Sequence, residues 1–453
     1  MAESRGKSMT QGKALDLILR FSIPLLLGNL FQQAYNLTDA AIVGRTLGAN
    51  ALASVGVSSS VQFLVLGFCI GMPIGFTIPV ASSFGARDYR TMRRYVWIGG
   101  VLTALFAALL TALTVSLCGW ILHTLQTPAE IYADAYAYLV TIFWGISCTL
   151  LYNYLSGILR AIGDSKTPFL FLAFSATLNI FLDFFCILNL HWGCFGAALA
   201  TIVSQGISGL LCLWTIRRRF AILHPQRDER SWDGTMALKQ LDMGLPMGLQ
   251  YSITAIGSMV MQTCNNTLGT VYVSAYAAGL KIKQLAMCPF DAFGTAAATF
   301  CSQNCGARQP DRIQEGVRIG VLTALVYSVP AMLLLVFGGR SMTLLFLENA
   351  DPAILDASAR YLRDIGFFYP MLGLVIVLRQ MVQSIGFSRR AMTAGVIEMC
   401  ARCAVCMLFT APYGFAAICC ADQSAWTSAV LYLIPVLASS LKTVRRQLEA
   451  PSA

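Results

Sequence analysis

"TLNIFLDFFCIL", Thr177 to Leu188, reads as an apolar helix, yet it carries Asn179 and Asp183 one helical turn apart. Side chains four residues apart share a helix face, so the amide and the carboxylate point the same way. A carboxylate at the centre of a bilayer costs roughly 2.5–3.5 kcal/mol or more. Whether this helix lies in a bilayer is decided by the rest of the chain. Of 453 residues, 57% are hydrophobic and only 12% charged, whereas a soluble domain is about 25% charged. Apolar runs of the ~20 residues that a bilayer core requires recur from end to end. The composition describes an all-α polytopic membrane protein and excludes a soluble enzyme of this size.

The formal charge of +10 could suggest nucleic acid, but its placement argues against such a partner. Apolar runs between polar breaks predict twelve transmembrane helices, near 14–43, 51–84, 91–118, 130–158, 167–189, 194–217, 238–267, 273–304, 312–338, 352–384, 391–410 and 415–441. Basic residues follow every second one, in "GARDYRTMRR", "RAIGDSKTP", "RRRFAILHPQRDER", "GARQPDR", "GFSRR" and the tail "KTVRR". The remaining loops hold little beyond Arg45 and Arg340. By the positive-inside rule both termini are expected in the cytoplasm. The opening "MAESRGKSMTQGK" is polar and reads without a removable signal peptide. The 15 cysteines, including the helically spaced Cys400, Cys403 and Cys406, read as small hydrophobes of a reduced interior.

The chain repeats itself. "SIPLLLG" from 22 matches "GLPMGLQ" from 244, and "FGARDYRTMRR" at 84–94 resembles "CGARQPDRIQE" at 305–315. "AYLVTIFW" from 137 aligns with "RYLRDIGF" from 360, and "AIGDS" from 161 with "SIGFS" from 384, so the offset stays within 221–223. Two similar six-helix bundles, 1–219 and 237–453, are expected on either side of a charged linker at 220–236. An even helix number makes them parallel repeats, pseudo-two-fold related about the membrane normal, as in alternating-access transporters.

Ionisable residues inside spans are functional candidates by default. Asp39 lies in the first helix, Asn179 and Asp183 in the fifth and Thr201 in the sixth, at similar expected depth. Oxygen ligands of this kind suit a hard cation such as sodium, with Asp39 and Asp183 as its carboxylates. Proton uptake by the same pair fits equally. With the offset of 223, Asn179 maps to Arg402, Ser175 to Glu398 and Asp183 to Cys406. Glu398 and Arg402, four apart, predict an internally neutralised pair. Lys281, Lys283 and Asp291 are further buried charges, either lysine being a possible partner of Glu398 or facing an aqueous gap. Pro24 is expected to kink the helix that carries Asp39.

At this point the sequence resembles the multidrug and toxic compound extrusion (MATE) family. The resemblance is carried by 23–56, "SSFGARD" (82–88), "ILRAIGDSKTP" (158–168), "LNIFLD" (178–183), "GAALATIVSQGIS" (196–208), "SQNCGARQ" (302–309) and 361–386. It implies two six-helix bundles around a cleft and an antiporter that expels organic, often cationic or amphiphilic, compounds against sodium or protons. The DinF-like prokaryotic branch places a cation site on residues matching Asp39, Asn179, Asp183 and Thr201. Gln32 and Tyr35 resemble positions near the substrate cavity, and Pro24 a proline linked to bending of the first helix. The branch with acidic residues in its second bundle fits less well, since the seventh helix has no mid-membrane carboxylate, although Asp364 stands near the tenth. A monomer in a prokaryotic inner membrane is expected, with a small-molecule substrate and no cofactor beyond the coupling ion. Export of a lipid-linked or endogenous metabolite is the alternative.

Overall fold

The computed structural model describes residues 6–125, 127–346 and 351–449, so the outermost limits of the expected halves lie outside the described residues. Fourteen α-helices follow one another: α1 (Ala14–Leu47), α2 (Ala49–Gly85), α3 (Tyr89–Thr124), α4 (Ala129–Trp144), α5 (Ile146–Ala161), α6 (Lys166–Phe184), α7 (Gly193–Arg219), α8 (Gly234–Asn266), α9 (Thr270–Gly306), α10 (Pro310–Phe346), α11 (Pro352–Phe367), α12 (Tyr369–Ser384), α13 (Ser388–Tyr413) and α14 (Phe415–Glu449). The pairs α4–α5 and α11–α12 bend by 42° and 55° at short breaks; with each pair counted as one span, the described residues hold twelve helical segments, ten of them long and apolar enough to cross a membrane. The first bend falls at Gly145, where a Cβ would collide with the Ile202 side chain of α7. The second falls at Phe368, ahead of Pro370, whose ring cannot continue the hydrogen-bond ladder.

The repeat is visible in the backbone. Left-handed residues recur in pairs: Gly48 with Gly269, Arg87 with Arg308, Gly163 with Gly386, and His191 with Gly414. The first two pairs are 221 positions apart and the last two 223. Each half therefore runs through the same turns, and these turns fix the register in which its residues correspond. Arg87 and Arg308 hold a conformation that ordinary side chains avoid, each just after a "GA" that ends a long helix.

Packing divides the chain into two compact units, one of 1–8 with 27–252 and one of 9–26 with 253–453. These units depart from the halves expected from the repeat, because the start of each half is exchanged. The first turns of α1 bury Ile18, Phe21 and Leu25 in the core of the second unit, with Phe290, Phe300 and Tyr369. The start of α8 belongs to the first unit and approaches α2 through glycines: a Cβ on Gly75 would meet Gly244 Cα at 2.5 Å. Small residues of this kind let helix backbones come close without a hydrophobic driving force. α1 passes from one unit to the other just after Pro24, which lies buried inside an unbroken helix.

Between α7 and α8 the expected linker is not extended chain; it forms short 3-10 turns at Ala221–Leu223 and Arg227–Glu229. Glu229 anchors it, receiving both guanidinium arms of Arg93 and the backbone N–H of Gln226 at 2.8 Å. Arg94 pairs with Asp233 at 2.9 Å beside it. The outer faces are apolar: Leu105, Leu109 and Leu113 stand exposed at one-turn spacing along α3. In water such a stripe would be a liability, whereas against lipid tails it is the expected surface.

Candidate functional site

Five elements of the first unit converge on one buried pocket. α6 supplies Asn179 and Asp183, which are 1% and 0% exposed. With its amide nitrogen turned to the carboxylate, Asn179 donates to Asp183 Oδ2 at 2.9 Å and accepts from the Thr201 N–H of α7 at 3.2 Å. α1 brings Asp39, whose carboxyl comes within hydrogen-bonding reach of that of Asp183. One turn earlier on α1, Tyr35 donates its hydroxyl to Thr201 Oγ1 at 3.4 Å. Thr201 itself donates to the Ala197 carbonyl at 3.2 Å, which leaves its oxygen free to accept. Tyr138 of α4, with Gln62 of α2 beside it, closes the pocket near Asp39. Directly after Asp183 the helix widens into a π turn, Phe185–Asn189, a feature frequent at functional sites.

The polar accounting of this pocket is incomplete. Asp39 Oδ1 and Asp183 Oδ1 are buried and have no hydrogen-bond donor among the described residues. Buried polar atoms are nearly always satisfied, and two carboxylates this close repel one another unless a proton or a cation lies between them. Two carboxylates, an amide and two hydroxyls make an oxygen-rich set with no fixed positive charge, and it fits a small hard cation or a shared proton. Asp39, Asn179, Asp183 and Thr201 are thus brought together, with Tyr35 beside them. Gln32 sits half-buried on α1, one turn before Tyr35.

The second unit holds a different arrangement. Glu398 and Arg402 of α13 pair at 2.9 Å as their spacing predicts. Glu398 also binds Arg379 of α12. Arg402 Nε reaches Asp422 Oδ1 of α14 at 3.0 Å, and Lys283 Nζ of α9 reaches Asp422 Oδ2 at 2.6 Å. Tyr361 of α11 donates to the same Oδ2 at 3.2 Å. Of the two readings left open for the lysines, pairing with Glu398 is not what the structure holds: Lys283 is taken by Asp422, and Lys281 lies on the exposed side of α9. Arg379 and Asp422 were missed by sequence reasoning, although a lone acid in "AICCADQSAW" is itself the signal. Asp364 stays between Arg360 and Arg363, at 3.8 and 3.6 Å, outside this network.

A separate apolar groove of about 1490 Å³ runs along α3, α5 and α7 of the first unit, between Trp97, Thr111, Trp144, Leu151, Arg217 and Arg230. None of the residues singled out above lines it.

Membrane passes that hold an oxygen-lined acidic pocket in one unit and a charge network in the other fit a membrane transporter. The chain belongs to the MatE family, whose model matches residues 24–185 and 246–408, one segment in each half. Among its relatives, the probable multidrug resistance protein YpnP of Bacillus subtilis (strain 168) is 31% identical over 396 residues, covering 86% of both chains. An FAD transporter of Shewanella oneidensis is 24% identical over 399 residues, 85% of this chain and 84% of that one. The crystal structure of a MATE in complex with MaL6 superimposes with a TM-score of 0.89 at 20% identity, over 98% of this chain and 99% of that one. The chain is a multi-pass membrane transporter of the MATE family that exports small molecules.

Proposed function

We propose that the protein is a secondary antiporter of the DinF-like kind, in which sodium or a proton entering the Asp39–Asp183 pocket drives export of an organic, cationic or amphiphilic compound. The observation that carries this reading is the pair of neighbouring carboxyls whose buried Oδ1 atoms lack donors among the described residues. Asp39 and Asp183 supply the charge that attracts the ion, and Asn179 and Thr201 supply neutral oxygens. Asn179 also holds Asp183 in place through its amide. Tyr35 links the α1 side of the pocket to α7.

A cation changes the balance between outward-open and inward-open states only to the extent that it binds one of them better. α1 is suited to report its arrival, since it carries Asp39 in one unit and begins in the other, with Pro24 near the crossing. The basic loops support cytoplasmic termini, and an inner membrane is the location that follows.

Counterflow in proteoliposomes under separate sodium and pH gradients tests the coupling. Transport that ignores both gradients, or that persists unchanged in Asp183→Asn, overturns it. The likeness to an FAD transporter favours a second reading, export of an endogenous metabolite by the same machinery. Faster loss of such a metabolite than of a fluorescent organic cation from loaded cells would establish it.

A further inference from the structure

The two buried clusters occupy corresponding positions. In the registers fixed by the repeated turns, Gln62 corresponds to Lys283, Tyr138 to Tyr361, Asn179 to Arg402 and Asp183 to Cys406. The offset of 222 that relates Pro24 to Pro246 pairs Tyr35 with Gly257 and Asp39 with Met261. Tyr138 faces the acids of its pocket, and Tyr361 donates to Asp422 in the other. Each cluster thus holds two carboxylates beside an equivalent tyrosine: Asp39 and Asp183 in the first, Glu398 and Asp422 in the second.

They differ in how the acids are neutralised. In the first pocket the corresponding positions are amides, Gln62 and Asn179, and no side-chain cation touches either acid among the described contacts. In the second they are Lys283 and Arg402, both bound to Asp422. Room for the guanidinium comes from Gly257: a Cβ there would stand 3.1 Å from Arg402 Nη1. The first unit fills the matching position with Tyr35. Arg402 is 4% exposed, and its Nη1 has no acceptor among the described residues, so the group sits in a space not tailored to all of its donors. Arg379 takes the remaining side of Glu398, and Asp291 lies within the field of Arg379, so three cations alternate with three acids.

From this we infer that Lys283 and Arg402 are tethered cations filling, in the second unit, the pocket that the first unit leaves open to a mobile ion. The chain consequently offers one mobile-cation site, not two. This rests on the reading of the Asp39–Asp183 pocket as a cation site. The class of ligand that the second pocket takes once its own cations are removed is a small monovalent cation.

The test is thermal unfolding of the purified full-length protein in sodium chloride against choline chloride at constant ionic strength, at several pH values. Asp183→Asn silences the first pocket: it leaves no sodium-specific response and removes the part of the pH response that the wild type owes to Asp183. Adding Lys283→Gln and Arg402→Asn to it, which installs the first pocket's residues, restores a sodium- or proton-specific rise of a few degrees. A further Asp422→Asn removes that rise. A folded triple variant that ignores both ions overturns the proposal. Should the triple variant not fold, Arg402→Ala decides: millimolar guanidinium chloride, but not choline chloride, raises its unfolding temperature, and indifference to guanidinium overturns the proposal. If the wild type shows no Asp183-dependent ion response, the reading of the first pocket falls, and the guanidinium response of Arg402→Ala still decides the second.

Discussion

Asp39 and Asp183, from the first and the fifth membrane passes, hold their carboxyls within hydrogen-bonding reach of each other in a pocket closed to solvent around Asp183. No lysine or arginine is bound to either acid among the described contacts. The pocket is therefore set to receive positive charge, and the consequences can be measured.

Asp39→Asn and Asp183→Asn each remove one of the two charges while preserving shape. Both variants are expected to insert normally and to lose gradient-driven efflux by at least about tenfold, the factor that about 1.4 kcal/mol of lost ion binding produces. Everted vesicles loaded with a fluorescent organic cation give the readout. Undiminished efflux in either variant removes that carboxylate from the coupling.

Thr201→Val deletes a neutral oxygen donor and the acceptor of the Tyr35 hydroxyl. Losing a hydrogen-bonding group of this kind costs roughly 0.5–1.5 kcal/mol, so ion affinity falls about 2- to 12-fold, whereas Thr201→Ser keeps it. The midpoint of the sodium or pH dependence of transport reports the change. An equal effect of both substitutions would point to packing instead of coordination.

Asp422→Leu leaves Lys283 and Arg402 buried without their shared acid. Breaking a buried ion network by removing one partner destabilises by about 3–5 kcal/mol. The expected result is poor yield or a much lower unfolding temperature, against a loss near 1 kcal/mol for Tyr361→Phe, which deletes a single hydrogen bond. Similar unfolding temperatures for the two variants would contradict this ranking.

Glu229 lies outside the membrane passes, and the Arg93 guanidinium holds its carboxyl below the usual range. A depressed folded-state value means that the stabilisation is present above the ordinary glutamate value of about 4.3 and is lost as pH falls through the lower, folded value. Hydrogen exchange in 221–233 should thus stay protected from neutral pH down to about 4.3 and rise only below it. Glu229→Gln should release the segment already at pH 7. Protection that is indifferent to both changes would show that the ion pair does not hold the linker.

The membrane passes were legible because each is a local property: twenty or so apolar residues ended by polar ones specify a span whatever surrounds it. Even the bent passes fell within single predicted spans, 130–158 and 352–384, although their breaks at Gly145 and Phe368 were not foreseen. The repeat was legible for the same reason, since equal turns need equal residues at equal spacing. Polar residues such as Asn179 and Asp183, or Glu398 and Arg402, announced themselves because hydrocarbon makes each of them expensive.

What the amino-acid order determined by itself was the number and order of spans, the doubling of the chain and the positions where charge is kept in apolar surroundings. Only tertiary packing decided which acids meet, that Lys283 answers Asp422 and not Glu398, and that the opening turns of α1 and α8 pack in each other's units. Hydrophobicity is summed along a few consecutive residues, whereas a charge chooses its partner by distance in space, and that distance is set by every helix packed between them.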